Sequence, residues 1–207
     1  YAIGDIQVRQ TDLAGNTSTA ATNAAAIQTD TTLAAPSFAL NTDTGSGGSD
    51  GTTQDATVDV TLASDVSSWE YSVNGGTSWT TGTGTSFELG ADTTYAIGDI
   101  QVRQTDVAGN TSTAATNAGA IVTDTTAPGA PSFALNTDTG ASNTDGITQD
   151  ATVDVTLAGD ADSWEYSVNG GVSWTTGTGT SFELGADTTY AIGDIQVRQT
   201  DLAGNTS

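Results

Sequence analysis

The sequence predicts an all-β protein, and three features of its 207 residues lead to that prediction. Thr, Val and Gly are abundant, while Lys, Glu and Leu, which favour helices, are scarce. Apolar and polar residues alternate over short stretches, which is the period of a strand with one buried face. Long blocks of sequence recur, so the chain is expected to consist of copies of one small unit.

The recurrence of these blocks is almost complete. Residues 1–18 return at 95–112 with one change and at 190–207 with none. The 50-residue blocks 54–103 and 149–198 differ at only four positions. A period of about 95 residues is too long for a solenoid repeat and suits a small sandwich domain. The sequence therefore predicts independent domains joined end to end.

Two Pro-containing segments are the predicted linkers between the domains. The spacing of the copies changes by one residue between TDTTLAAPSF at 29–38 and TDTTAPGAPSF at 123–133. Connections tolerate insertions, and Pro interrupts strand pairing. Partial repeats at the two ends are expected to fray or to be completed by a neighbouring chain. The predicted domains are 1–31, the last strands of an incomplete repeat; 32–125, a complete repeat; and 126–207, a repeat without its last strand.

The complete repeat contains a series of strand patterns separated by turns. Val58, Val60 and Leu62 alternate with polar residues, and the Asn-Gly-Gly sequence at 74–76 predicts a hairpin turn. About seven strands with short connections predict an immunoglobulin-like β-sandwich. The predicted strands cover residues 38–40, 56–62, 69–73, 77–80 and 86–89, the stretch that contains 100–104, and a weak last strand that ends near 122.

Aromatic and charged residues on these strands suggest specific packing. Trp69 on the third strand and Tyr95 before the sixth occupy the positions of the core Trp and the corner Tyr of such sandwiches. We interpret Trp69, Tyr71 and Trp79 as a core aromatic cluster, with a carbohydrate-stacking platform as the open alternative. Glu70 and Arg103 point outward on neighbouring strands. An ion pair worth a few tenths of a kcal/mol is expected there, and a solvated Arg is the alternative.

Composition excludes several chemistries. The net charge is -22, from 25 acidic and 3 basic residues, and there is no His, Cys or Met. The chain therefore has no disulfide, thiolate zinc site, cysteine nucleophile or Ser-His-Asp triad. All basic residues are Arg, so lysine Schiff bases and isopeptide crosslinks are excluded as well. Nucleic acids and anionic membranes repel such a chain, whereas divalent cations are expected partners. No apolar run approaches the roughly 18 residues of a membrane span.

Most of the acidic residues are Asp, and many fall in predicted loops and linkers at domain ends. Domains joined tail to head should bring acids of one end against acids of the next, which favours a bound cation. Ca²⁺ accepts about six to eight oxygen ligands in flexible geometry, and the lack of N and S donors argues against zinc and copper. Asx turns and plain solubility are the alternatives. The expected tail residues are Asp43, Asp50, Asp55 and Asp124, and the head residues are Asp160, Asp162, Asp201 and Asn205.

Three motifs resemble the bacterial immunoglobulin-like (BIg) extender repeats of giant repeats-in-toxin (RTX) adhesins. They are Trp-Glu-Tyr-Ser-Val-Asn-Gly-Gly-x-Ser-Trp-Thr, Val-Arg-Gln-Thr-Asp-x-Ala-Gly-Asn and Thr-Asp-Thr-Thr-Ala-Pro, and the likeness covers every complete repeat. The first linker departs from the pattern, with Leu33 in place of Ala-Pro. The resemblance implies secretion by Gram-negative bacteria and Ca²⁺ at the joints. When the matching turn and loop positions of every copy are included, the expected metal ligands are Asp12, Asn16, Asp30, Asp43, Asp50, Asp55, Asp106, Asn110, Asp124, Asp138, Asp145, Asp150, Asp201 and Asn205.

The function expected from these features is that of calcium-stabilised extender, or spacer, repeats of a large bacterial surface adhesin. The repeats would form a monomeric extracellular rod that projects a ligand-binding tip in attachment and biofilm formation. Its partners would be Ca²⁺ and neighbouring repeats, without nucleic acid or membrane insertion. The alternative is an immunoglobulin-like module that itself binds a surface glycan or host receptor. No enzymatic activity is expected, because the Glu residues point outward on strands and the sequence indicates no cleft.

Overall fold

The computed structural model describes residues 1–207, and it contains strands and turns but no helix. This confirms the all-β prediction. No helix is present that could cross a membrane. The strands are β1 (Gln7–Val8), β2 (Ala21–Thr22), β3 (Ser37–Leu40), β4 (Thr52–Thr53), β5 (Thr57–Thr61), β6 (Val66–Ser72), β7 (Thr80–Thr81), β8 (Ser86–Glu88), β9 (Thr93–Tyr95), β10 (Gln101–Asp106), β11 (Ala115–Thr116), β12 (Ile121–Thr123), β13 (Ser132–Leu135), β14 (Thr152–Thr156), β15 (Ala161–Ser167), β16 (Thr175–Thr176), β17 (Ser181–Glu183) and β18 (Gln196–Asp201).

Strands β3 to β12 form one layered unit. A sheet in the order β3-β5-β8 packs against a sheet in the order β11-β10-β6-β7. Val58 and Val60 of β5 are buried while Asp59 between them is exposed, as the alternating sequence predicts. The core between the sheets consists of Val58, Val60, Trp69, Phe87, Leu89, Tyr95, Ile100 and Val102.

The predicted last strand is divided into two short strands. β11 pairs with β10, and β12 then leaves that sheet and pairs antiparallel with β9 and parallel with β4. Thr123 of β12 is buried, and its hydroxyl donates to the carbonyl of Gly90 at 2.5 Å. The crossover places the end of β12 beside β4, so the exit of this unit lies next to the loop at residues 41–55.

The predicted cross-strand ion pair is present. Arg103 lies opposite Glu70 in the β6–β10 register, with Arg103 Nη2 at 2.8 Å from Glu70 Oε2. The equivalent Arg198 and Glu165 are 2.6 Å apart. About a third of each side chain is accessible to solvent, so each pair contributes well under about 1 kcal/mol.

The hairpin after β6 has a longer turn than the sequence predicts. The side-chain oxygen of Asn74 accepts a hydrogen bond from the backbone N–H of Ser78 at 2.9 Å, and its side-chain nitrogen donates to the Ser78 hydroxyl at 2.8 Å. The returning strand therefore begins at Thr80 rather than at Thr77. Tyr71 pairs with Thr80 in the resulting register.

The aromatic cluster differs from the prediction at one position. Trp69 is buried, and Tyr71 stacks on Phe87 with ring centroids 4.2 Å apart. Trp79 is not in the core, so the prediction for this residue is wrong. In the observed register it shares the outer face with Glu70, and the Arg103 guanidinium carbon lies 4.0 Å from the centre of its ring.

Residues 132–201 repeat much of this arrangement. A sheet in the order β13-β14-β17 packs against one in the order β16-β15-β18 around Val153, Val155, Trp164 and Phe182. This part contains no counterpart of the sheet formed by β4, β9 and β12. Residues 1–30 form a single hairpin of β1 and β2, and most of their side chains are exposed.

Candidate metal centre

The turn at residues 106–110 follows β10 and is built around one carboxylate. Asp106 is only 2% exposed, and its Oδ1 accepts a hydrogen bond from the backbone N–H of Asn110 at 2.8 Å. Its Oδ2 accepts from Asn110 Nδ2 at 2.7 Å. The bond from the Asn110 side chain is the main cause that lowers the pKa of Asp106, so this carboxylate is ionised at neutral pH.

The same turn occurs three times. Asn16 Nδ2 lies 2.9 Å from Asp12 Oδ2, and Asn205 Nδ2 lies 3.0 Å from Asp201 Oδ2. The Asn16 side chain is likewise the main cause that lowers the pKa of Asp12. The turn at 12–16 is exposed, whereas Asp201 and Asn205 are buried. The Asp–Asn pairs that the sequence predicts as ligands therefore also have a local structural role.

Three carboxylates converge at the start of the first complete unit. One carboxylate oxygen from each of Asp30, Asp65 and Asp106 lies within 4.8 Å of the other two. Asn110 Nδ2 donates to the Asp30 carbonyl at 3.2 Å, and the Val107 N–H donates to the Asp65 carbonyl at 3.1 Å, which holds all three segments together. Carboxylates at this spacing repel one another, and an oxygen-only set suits Ca²⁺.

The second linker keeps the backbone contact but not the cluster. Asn205 Nδ2 donates to the carbonyl of Asp124 at 2.9 Å, as Asn110 does to Asp30. No other group of three acidic side chains in residues 1–207 comes as close as the first cluster. The carboxylate of Asp124 accepts a hydrogen bond from the backbone N–H of Thr126 at 3.1 Å, as Asp30 does from Thr32 at 3.3 Å.

The loop at residues 41–55 contains a carboxylate oxygen with no partner. Asp43 Oδ2 accepts from the N–H of Gly51 at 2.8 Å, but Asp43 Oδ1 is buried and makes no hydrogen bond. In the loop at 136–150, Asp138 Oδ2 accepts from Gly146 at 2.9 Å, and Asp138 Oδ1 is again buried and unpaired. Buried polar atoms in proteins nearly always have a partner, so both oxygens are positions where a water molecule or a cation would bind.

The other acidic residues of these loops close local turns. Each accepts a hydrogen bond from the backbone N–H two residues further on, at 2.8 to 3.1 Å. Hydrogen bonding from Thr57 is the main cause that lowers the pKa of Asp55, and hydrogen bonding from Thr152 has the same effect on Asp150. The residues with this arrangement are Asp50, Asp55, Asp145 and Asp150.

The loop at 41–55 also touches the turn at 201–205. The hydroxyl of Thr44 donates to the Ala203 carbonyl at 2.6 Å, and Ala203 is fully buried. A Cβ atom on Gly45 would overlap the carbonyl oxygen of Leu202. The loop at 41–55 of one unit and the turn at 201–205 of the next are therefore in direct backbone contact.

Sequence reasoning did not identify Asp92 or Gln199 as residues of the joint. Asp92 accepts a hydrogen bond from the N–H of Thr125 at 2.7 Å, and Gln199 Nε2 donates to the Gly129 carbonyl at 2.6 Å. Both act on residues distant in sequence. The only sequence feature that could have identified them is their recurrence at the equivalent position of each copy. Nearly all other residues recur as well, so this feature does not single them out.

Comparisons with known proteins assign no family to the chain. No protein-family model matches it, and no curated protein matches it. One open surface depression is lined by Tyr1, Ala2 and residues 26–29 and contains no carboxylate.

Proposed function

We propose that the chain is a set of calcium-stabilised extender repeats from a large bacterial surface adhesin. The observation that carries this proposal is the pair of buried, unpaired oxygens, Asp43 Oδ1 and Asp138 Oδ1. The loop segments between the acids, Ser-Gly-Gly-Ser at 46–49 and Ala-Ser-Asn-Thr at 141–144, differ in sequence. The orphan oxygen occurs at the equivalent Asp of both loops, and this recurrence supports a cation site in each of them.

Calcium suits these oxygen donors better than zinc or copper does. Both orphan atoms are carboxylate oxygens in loops, and the chain offers no His or Cys. The cluster of Asp30, Asp65 and Asp106 adds a second oxygen-rich place where a cation would relieve repulsion. A cation that binds only the folded state stabilises it by RT ln(1 + [Ca²⁺]/Kd), or about 2.7 kcal/mol at a hundredfold excess over Kd.

The proposed units are immunoglobulin-like sandwiches arranged in tandem, at 32–125 and 126–207. Two separate cores, one around Trp69 and one around Trp164, support this division. The Tyr95 hydroxyl accepts from the Gly90 N–H at 2.7 Å, and Tyr190 accepts from Gly185 at 2.8 Å. A Tyr hydroxyl bonded to backbone a few residues upstream is typical of immunoglobulin-like sandwiches.

A spacer role follows from the way the units meet. The contact of Thr44 with Ala203 joins the tail of one proposed unit to the head of the next. Ions bound near such joints would favour an extended rod that carries a binding tip away from an extracellular bacterial surface. The resemblance to extender repeats of RTX adhesins supplies the biological setting, which is attachment and biofilm formation without enzymatic activity.

The alternative, direct binding of a glycan or receptor by these units, has less support. Trp69 is buried, and Tyr71 is stacked on Phe87. Arg103 covers a face of Trp79, and Glu70 holds that Arg in place. The aromatic rings that could form a sugar platform are therefore already in contact with protein groups.

Thermal unfolding with and without Ca²⁺ tests the proposed function. Millimolar Ca²⁺ should raise the Tm of the parent chain above its value in chelator, and the combined Asp43→Asn and Asp138→Asn variant should lose most of that rise. Glu88→Gln removes one exposed strand charge and should keep the rise in full. A Tm of the parent that does not respond to Ca²⁺ would reject the proposal.

A further inference from the structure

The linker at residues 124–129 is held from the preceding unit by one side chain. Asp92, in the turn between β8 and β9, accepts hydrogen bonds at Oδ1 from the N–H of Thr125 at 2.7 Å and from its hydroxyl at 3.0 Å. Its Oδ2 accepts from the hydroxyl of Thr126 at 3.1 Å. Three donors from two consecutive linker residues thus converge on a single carboxylate.

The following unit holds the same linker through two amides. Asn205 Nδ2 donates to the Asp124 carbonyl at 2.9 Å, and Gln199 Nε2 donates to the Gly129 carbonyl at 2.6 Å. The other end of the Gln199 amide accepts from the Ala158 N–H at 3.0 Å. Gln199 is fully buried, so water cannot replace a bond that it loses.

The first linker shows that the amide contacts recur. Asn110 Nδ2 donates to the Asp30 carbonyl at 3.2 Å, and Gln104 Nε2 donates to the Ala34 carbonyl at 2.8 Å. Gln104 is buried as Gln199 is. The two linkers differ in length by one residue and in the presence of Pro128, yet the same two amides hold both of them.

The backbone of Asp92 is preset for its contact. Asp92 has a φ of 49°, and the equivalent Asp187 has a φ of 54°, in the left-handed region that few residues other than Gly adopt. Asp92 and Asp187 stand at equivalent positions of the repeat, so the same left-handed turn forms in both units. In the first unit this turn presents the Asp92 carboxylate to the linker at 124–129.

We propose that Asp92, Gln199 and Asn205 form a linker bracket that sets the direction in which one unit follows the next without any bound cation. Both oxygens of Asp92 are satisfied by protein donors, in contrast to the unpaired Oδ1 of Asp43. The bracket closes on the linker from both units at once. It is independent of the proposed function, because it needs no metal and no particular cellular setting.

The bracket can be tested by the width of an inter-unit distance distribution. The chain has no Cys, so spin labels at Thr61→Cys and Thr156→Cys, two equivalent exposed strand positions, report on the joint alone. All samples are measured in chelator by pulsed electron spin resonance. The labelled parent should give one narrow distribution, and Asp92→Ala should broaden it.

Asp187→Ala is the matched control. It changes the same left-handed turn in the same local sequence but not the bonds to the linker at 124–129, so its distribution should equal that of the parent. Asp92→Asn, which tolerates the same backbone but loses an acceptor, should give an intermediate width. Equal widths for Asp92→Ala and Asp187→Ala, or a broad distribution for the parent in chelator, would overturn the proposal. A failed response to Ca²⁺ would leave this result unchanged.

Discussion

Gly45 packs directly against the carbonyl group of Leu202, and no side chain fits between them. Gly45 has a φ of 87°, so its backbone conformation and its lack of a Cβ both matter. Its equivalent in the next unit, Gly140, has a φ of 109°, and a Cβ atom added there would lie in ordinary contact, 3.7 Å from the Ile147 carbonyl oxygen. The two glycines share a loop position but only one of them lies at a joint.

Gly45→Ala should therefore separate the two units, and Gly140→Ala should not. Both variants carry a left-handed alanine, which costs roughly 1 to 2 kcal/mol in the stability of their own unit. Only the first also overlaps Leu202, so only the first should increase the maximum dimension or its spread in small-angle scattering. Similar scattering from both variants would show that the contact does not shape the joint.

Arg103 contributes through two partners on the outer face of its sheet. Its Nε donates to Glu70 at 2.9 Å while its guanidinium covers Trp79. Arg103→Ala should lower the free energy of unfolding by about 0.5 to 1.5 kcal/mol, because both contacts are partly exposed. Arg9→Ala, at an exposed Arg with no ion pair, should change it little. Denaturant unfolding followed by Trp fluorescence measures both, and equal effects would contradict this assignment.

A carboxylate in the linker bracket makes the joint sensitive to acid. The bond from the Thr125 backbone is the main cause that lowers the pKa of Asp92 below its ordinary value of 3.8. A lowered pKa means that the contribution of Asp92 is complete above about pH 4 and disappears as the pH falls through the lower folded value. The labelled parent should therefore broaden its distance distribution in acid more than Asp92→Asn does. Asp187→Asn should follow the parent, and an identical acid response of the Asp92 variant would contradict the prediction.

The regular parts of this fold could be predicted from sequence because they depend on local patterns. The alternation at Val58 and Val60 gives the buried face of β5, and the opposite charges of Glu70 and Arg103 on outward positions give their pair. Trp79 could not be placed, because its face depends on a turn that the Asn74 side chain lengthens.

The joint was less predictable than the strands. The acidic loops could be recognised from composition, but the hydrogen bonds of Asp92 depend on its left-handed φ and on a linker that is distant in sequence. Whether Asp43 is satisfied also depends on which backbone N–H groups face it, and this is a property of the folded loop. Sequence patterns indicate which residues can bind a cation, while three-dimensional structure decides which oxygens lack a partner.

The unpaired oxygen of Asp43 predicts that Asp43→Asn changes the stability in opposite directions with and without Ca²⁺. In chelator, Asp43→Asn removes a carboxylate whose buried Oδ1 has no hydrogen-bond partner, so the variant should be as stable as the parent or more stable. With Ca²⁺ at a hundredfold excess over Kd, the parent should gain about 2.7 kcal/mol from this site and the variant should gain little.

The order of the two melting temperatures should therefore reverse between chelator and Ca²⁺. Asp138→Asn should give the same reversal in the next unit, because Asp138 has the same orphan oxygen. Asp59→Asn changes an exposed carboxylate that already accepts a bond from Asn41 at 2.9 Å, and it should keep the full response to Ca²⁺. If Asp43→Asn lowers the melting temperature equally in both conditions, the carboxylate has a structural role and the loop is not a cation site.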